Sequence, residues 1–215
     1  MRLSTLIFLI LLTNQVFAQE DPAGAFWKVY KVYLYKQGDC TGEPQVIFEN
    51  SNPNYEDFSS QPTLGSGAVE NGTYHCVAIQ LSDFIEVVPK NSTSLTACSS
   101  YNSANPLTQD ICPSGTNKYD ADSKQVSSCS SSNEKVWLFI STISTATGTS
   151  ADPSGSNVFE PPTNSNSILG LALDGKLIVA KDQITYFKSD PSGRLQESGG
   201  NCIMYAPRFG FKLAQ

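Results

Sequence analysis

One histidine, His75, is all that the 215 residues contain. Any Ser-His-Asp or Cys-His mechanism would have to run through that ring, and no Gly-x-Ser-x-Gly elbow accompanies it. Cations are scarce too. Beyond Arg2 the chain carries 13 Lys and Arg against 20 Asp and Glu, a net charge of −7. Phosphate backbones are bound by clustered Lys and Arg, so no nucleic-acid partner is expected. The longest apolar run, Leu6 to Leu12, is far short of the ~20 residues that a helix needs to cross a bilayer, which argues against stable membrane insertion. No two cysteines are spaced Cys-x2-Cys or Cys-x4-Cys, so the usual structural zinc patterns are missing. Neither a metal nor another cofactor is expected. An amphipathic helix of three turns is also absent.

What is present begins with an export signature. Met1-Arg2, the apolar run from Leu6 and the small side chains of Val16 and Ala18 form the three parts of a secretory signal. Cleavage after Ala18 would leave 197 residues, enough for a single domain over 19–215. Six cysteines, Cys40, Cys76, Cys98, Cys112, Cys129 and Cys202, all follow that cut. An even count in an oxidising compartment reads as disulfides, and six cysteines allow 15 connectivities. The expected location is secreted or periplasmic.

Strand character dominates the rest. Phe26 to Lys36 is rich in Val and Tyr and suits one long half-buried strand. Thr73, His75, Val77, Ile79 and Leu81 alternate with Tyr74, Cys76, Ala78 and Gln80, which places the first set on one face. Phe84 to Val88 continues until Pro89, which cannot donate a ladder hydrogen bond. Further strands are expected at Gln45 to Glu49, Lys135 to Ile143, Ile168 to Leu173, Lys176 to Ala180, Gln183 to Lys188 and Cys202 to Leu213, the last broken near Pro207. Asp174-Gly175 is the strongest hairpin signal. Asp-Pro-Ser-Gly occurs at Asp152 to Gly155 and at Asp190 to Gly193, where proline presets one turn angle and glycine supplies the positive φ.

Two stretches differ from the others. Residues 91–133 contain twelve serines but only four Val, Ile or Leu, namely Leu95, Leu107, Ile111 and Val126. This segment cannot build its own core, yet it holds Cys98, Cys112 and Cys129. Three is odd, so full pairing requires at least one of them to reach Cys40, Cys76 or Cys202. A stapled insertion tied to the sheet is the expectation. Residues 144–167 read as a polar loop. About nine short strands with Gly and Pro turns predict an all-β, antiparallel β-sandwich.

Chemistry-bearing candidates are dispersed. Glycoside hydrolysis needs two carboxylates about 5–10 Å apart, and Glu43, Glu49, Glu56, Asp57, Asp83, Glu86, Glu160 and Glu197 all qualify without any pair standing out. Trp27, Tyr33, Tyr35 and Trp137 offer rings for stacking on sugars, but strand positions make core packing the favoured expectation. Asn52, Asn54, Glu56 and Asp57, and separately Asp120, Asp122 and Ser123, are oxygen-rich loops of the kind that suit calcium. Neither completes a twelve-residue calcium loop, so solvated loops are expected. Ser132-x-x-Lys135 matches a Ser-Lys pattern that abundant serine produces by chance. Asn71-Gly72-Thr73 and Asn91-Ser92-Thr93 are glycosylation acceptors in a eukaryotic host.

Residues 30–88 resemble the transthyretin-like and related immunoglobulin-like β-sandwich modules of bacterial secreted and surface proteins. In those a strand like Val29 to Tyr35 is followed later by one opened by Gly-x-Tyr, here Gly72-Thr73-Tyr74. The resemblance implies a non-catalytic binding or structural role and carries over no functional residue. The sequence as a whole points to an exported interaction module with a protein or glycan partner. The alternative is a carboxylate-dependent glycan hydrolase, which a cleft gathering several carboxylates would favour.

Overall fold

The computed structural model describes residues 18–60, 69–111, 118–119, 125–126, 135–143, 171–180 and 185–213. Residues 1–17, the polar stretch 144–167, Cys112 and Cys129 lie outside them. The described chain is all-β, with a single 3-10 turn at Thr96–Cys98. No helix among these residues is long and apolar enough to cross a membrane.

A curled seven-stranded sheet organises the molecule. Its order is Thr185–Asp190, Arg208–Leu213, Leu171–Asp174, Lys135–Ser141, Cys76–Ser82, Val29–Tyr35 and Gln45–Glu49. A four-stranded sheet orders Glu56–Asp57, Gly24–Trp27, Phe84–Val88 and Leu107–Asp110, and a three-stranded one orders Gln19–Glu20, Leu195–Ser198 and Asn201–Met204. Most pairings are antiparallel. Among the described residues two are parallel: Leu171–Asp174 lies parallel both to Lys135–Ser141 and to Arg208–Leu213. Parallel neighbours cannot be joined by a tight turn, and here 29 and 33 residues of sequence separate the paired strands.

Period-two alternation places Val32, Leu34, Val77, Ile79, Leu81, Val136, Leu138 and Ile140 on the inner face of the large sheet, in the main core. The core also takes Trp27, Ile85 and Val87 from the four-stranded sheet and Leu195 and Met204 from the three-stranded one. Leu95, Cys98, Leu107 and Ile111 of the Ser-rich segment join it as well. That segment therefore contributes to the common core rather than forming one of its own. Cys98 is bonded to Cys202, and Cys40 to Cys76.

Several local expectations change for a common reason, which is that chains cross between sheets. Phe26 to Lys36 is not one strand. Gly24–Trp27 belongs to the four-stranded sheet and Val29–Tyr35 to the seven-stranded one, with the switch at Lys28. The neighbouring chain switches back at Asp83, between Cys76–Ser82 and Phe84–Val88, and Ser82 N–H donates to Lys28 O at 2.9 Å where the two crossings meet. Strands that change sheet at a bend form the corners of such a sandwich. These breaks turn about nine expected strands into many shorter segments.

The strand predicted from Thr73 to Leu81 breaks at His75. Gly72–Tyr74 pairs with Leu177–Val179, whereas Cys76–Ser82 pairs in the large sheet. Alternation is interrupted there, so Tyr74 joins Val77 in the core while His75 stays half-buried outside it. Asp174-Gly175 makes a bend but no hairpin, because its flanking strands pair in different sheets. The tight hairpin turn needs positive φ at both central residues, and only Gly175 has it, at 79°. The hairpin that does form lies at Gly199-Gly200, with φ of 57° and 80°, between Leu195–Ser198 and Asn201–Met204.

Candidate functional site

Alternation that sends one set of side chains inward must send the other outward. On the outer face of the large sheet stand Tyr33 and Tyr35, Cys76, Ala78 and Gln80, and Trp137 and Phe139. Tyr35, Cys76, Ala78 and Phe139 form a second, smaller buried cluster with Cys40. The loop that follows Val29–Tyr35 covers this end of the face. Its Cys40 takes the left-handed conformation, φ 61°, and bonds to Cys76, while Gly38 O accepts a hydrogen bond from Ser141 Oγ.

Beyond the loop the face is uncovered enough to leave Tyr33 and Trp137 half-buried. Their ring centroids are 4.9 Å apart, with planes tilted by 42°. Gln80 stands opposite Trp137 on one side and Lys31 on the other. Lys31 pairs with Glu49 at 2.5 Å. That bond first, and Tyr33 second, raise the Lys31 ammonium above its ordinary value. Val46, opposite Tyr33, is 50% exposed. Two aromatic rings thus share one face of the sheet with an amide and an ion pair. Ring faces are electron-rich and attract the weakly positive C–H bonds of a sugar ring, while the Gln80 amide both donates and accepts hydrogen bonds.

The four aromatics meet the core expectation to different degrees, Tyr33 and Trp137 being partly buried against the smaller cluster. Trp27 and Tyr35 are core residues, but Tyr33 and Trp137 are not fully enclosed. Nothing in the alternation pattern separates Tyr33 from Tyr35. Only the disulfide-anchored loop does so, by covering one and not the other. Gln80 was legible as an outward position, but its place between Lys31 and Trp137 depends on register.

The carboxylates are mostly committed elsewhere. Asp57 Oδ1 accepts the backbone N–H groups of Ala25 and Ser59 at 3.2 and 2.9 Å. Glu49 is held by Lys31, and Glu197 accepts the Ala97 N–H. Glu43 and Glu56 are exposed, and Glu160 lies outside the described residues. Asp83 is fully buried at its corner and Glu86 half-buried. Burial raises the Tyr55 hydroxyl above its ordinary pKa, and these two carboxylates add to the effect. An apolar cavity of about 30 Å³ between the sheets is walled by Trp27, Leu81, Ile85, Met204, Ala206 and Phe209 among others, and none of these carboxylates lines it.

No group of three metal-ligating side chains occurs among the described residues. Asn50 Oδ1 caps Asn52 N–H in the first oxygen-rich loop, whereas Asp120, Asp122 and Ser123 lie outside the described residues, as does Ser132. Lys135 lies over the Tyr30 ring at 4.2 Å. Asn71 and Asn91 are exposed.

His75 joins strand ends. Its N–H donates to Tyr35 O and its carbonyl accepts from Thr142 N–H, both at 2.9 Å, and ring Nδ1 lies 3.2 Å from Thr142 Oγ1. The backbone bonds survive a change of side chain to glutamine, so His75→Gln should cost only on the order of 1 kcal/mol. Urea unfolding of both forms checks this, and a loss above about 3 kcal/mol would show that the ring does more than bond to Thr142. The chain matches no known protein family, curated protein or solved structure.

Proposed function

We propose that the protein is a secreted, non-catalytic module that binds a glycan through the Tyr33 and Trp137 surface. The observation that carries this reading is the half-buried ring pair on a rigid sheet beside Gln80 and the Lys31–Glu49 ion pair. Rings fixed by strand packing lose little freedom when a ligand stacks on them, which favours affinity from few contacts. The resemblance of residues 30–88 to sandwich modules implies a non-catalytic binding or structural role, with which this reading agrees. Two disulfides and the leader-type N-terminus support an oxidising, extracellular setting.

The test is a pull-down of the mature chain on insoluble cellulose, chitin and mixed β-glucan, together with a glycan array. Tyr33→Ala and Trp137→Ala are each expected to weaken binding by at least tenfold, the equivalent of about 1.4 kcal/mol, measured well below the lowered melting temperature of each variant, where circular dichroism shows the parent's fold. Capture of a protein in place of any glycan would overturn the choice of partner. Release of reducing sugar, lost in Glu86→Gln, would overturn the non-catalytic reading.

A further inference from the structure

Beyond Arg2 the chain has only two arginines, Arg194 and Arg208, and the fold brings both to Asp190. Arg208 stands opposite Asp190 across the pair of strands Thr185–Asp190 and Arg208–Leu213. Arg194 reaches the same place through the Asp-Pro-Ser-Gly turn, in which Arg194 N–H donates to Pro191 O at 3.0 Å and Gly193 has φ 67°. Tyr205 N–H donates to Arg194 O at 2.8 Å, which sets Arg194 against the segment leading into Arg208.

Arg194 is only 4% exposed. Nothing accepts a hydrogen bond from its Nε, and among the described residues neither arginine has a carboxylate within ion-pair distance. Asp190 is engaged otherwise. One oxygen accepts Ser192 N–H at 3.1 Å, and the other meets Lys188 Nζ at 3.2 Å. Ser192 above all, with Lys188, holds its pKa down at about 2, so it stays ionised and paired. Asp21 is occupied as well, by Gly193 N–H at 2.9 Å and Lys90 at 3.2 Å. Burial first, and the charge of Arg208 second, push the Arg194 guanidinium below its ordinary pKa, and the carboxylate of Asp190 offsets them only in part.

The buried Arg194 leaves its Nε–H unbonded, and the charge of Arg208 acts on it more strongly than the carboxylate of Asp190 does, so an unused donor and a like-charge repulsion meet at one place. An oxyanion removes both costs, since its two oxygens match the fork of a guanidinium. We infer that Arg194 and Arg208 form a binding site for a small oxyanion, the carboxylate or sulfate ester group of a ligand. The site belongs to the opposite edge of the seven-stranded sheet from Tyr33, so it stands whether or not the ring pair binds a glycan.

With two arginines in the mature chain, its ¹H–¹⁵N spectrum contains two Nε signals, one for each side chain. Titrating the mature chain with sodium sulfate and, separately, sodium acetate should move both signals along a saturable curve, whereas sodium chloride at matched ionic strength should not. The anion that saturates at lower concentration identifies the ligand group. Arg208 is exposed, so Arg208→Gln should keep the fold and weaken binding at least tenfold; Arg194→Lys should weaken it also. Signals unmoved by both oxyanions, equal shifts with chloride, or undiminished affinity in Arg208→Gln would each overturn the inference.

Discussion

Replacing Trp27 by alanine is expected to lower the unfolding free energy by about 3–5 kcal/mol. The indole is 3% exposed, stacked on Phe58 with centroids 4.7 Å apart and within 5.8 Å of Phe209. It also walls the apolar cavity, so truncation would open new space onto an existing void, and the surroundings could not collapse to fill it. One effect opposes this. The Trp27 Nε1–H is buried with no acceptor, a state that itself costs about 1–3 kcal/mol, and any substitution relieves it. Trp27→Phe separates the two contributions, because it removes the orphaned N–H and keeps a ring against Phe58. It should cost less than about 2 kcal/mol, or nothing. Urea unfolding followed by fluorescence measures both variants, since Trp137 remains as a probe. An alanine variant within about 1 kcal/mol of the parent would show that this corner of the core carries little of the stability.

The second large effect is expected at Cys98 and Cys202. Their bond spans a sequence separation of 104, against 36 for Cys40 and Cys76. A crosslink stabilises mainly by restricting the unfolded chain, and the restriction grows with the logarithm of the loop. That gives about 4.7 kcal/mol for the longer loop and about 3.8 kcal/mol for the shorter. Paired alanine substitutions avoid burying a hydroxyl at these enclosed positions. Cys98→Ala with Cys202→Ala should therefore destabilise more than Cys40→Ala with Cys76→Ala. The consequences should also differ in kind. Losing the first releases the Ser-rich segment from Asn201–Met204, whereas losing the second frees the loop over Tyr35 and Phe139 and should disturb the ring pair beside it. A reversed order of stability would contradict the chain-restriction account for this protein.

Particular residues show where sequence reasoning holds. Val77, Ile79 and Leu81 face one core as their alternation requires, because a strand has a period of two wherever it is continuous. The same rule fails at His75, where the chain leaves one pairing for another and Tyr74 takes the inward position. Asp174-Gly175 fails in a related way. Local residues choose a turn's backbone angles, but the partners of its flanking strands are chosen by distant segments. At Gly199-Gly200 both requirements agree, and a hairpin forms.

The all-β class was therefore determined locally, by strand-forming residues, turn residues and the lack of any helical period. The need for a link between the Ser-rich segment and the rest followed from parity alone, if all six cysteines are paired. Tertiary structure decided the remainder. It placed the corners at Lys28 and Asp83, set two strand pairs parallel, and covered Tyr35 while leaving Tyr33 half-open. It also brought Arg194 beside Arg208, fourteen residues apart and without any shared motif. Such juxtapositions depend on register and on which sheet a strand joins. Those choices follow from the summed burial of many distant side chains, which no short window of sequence contains.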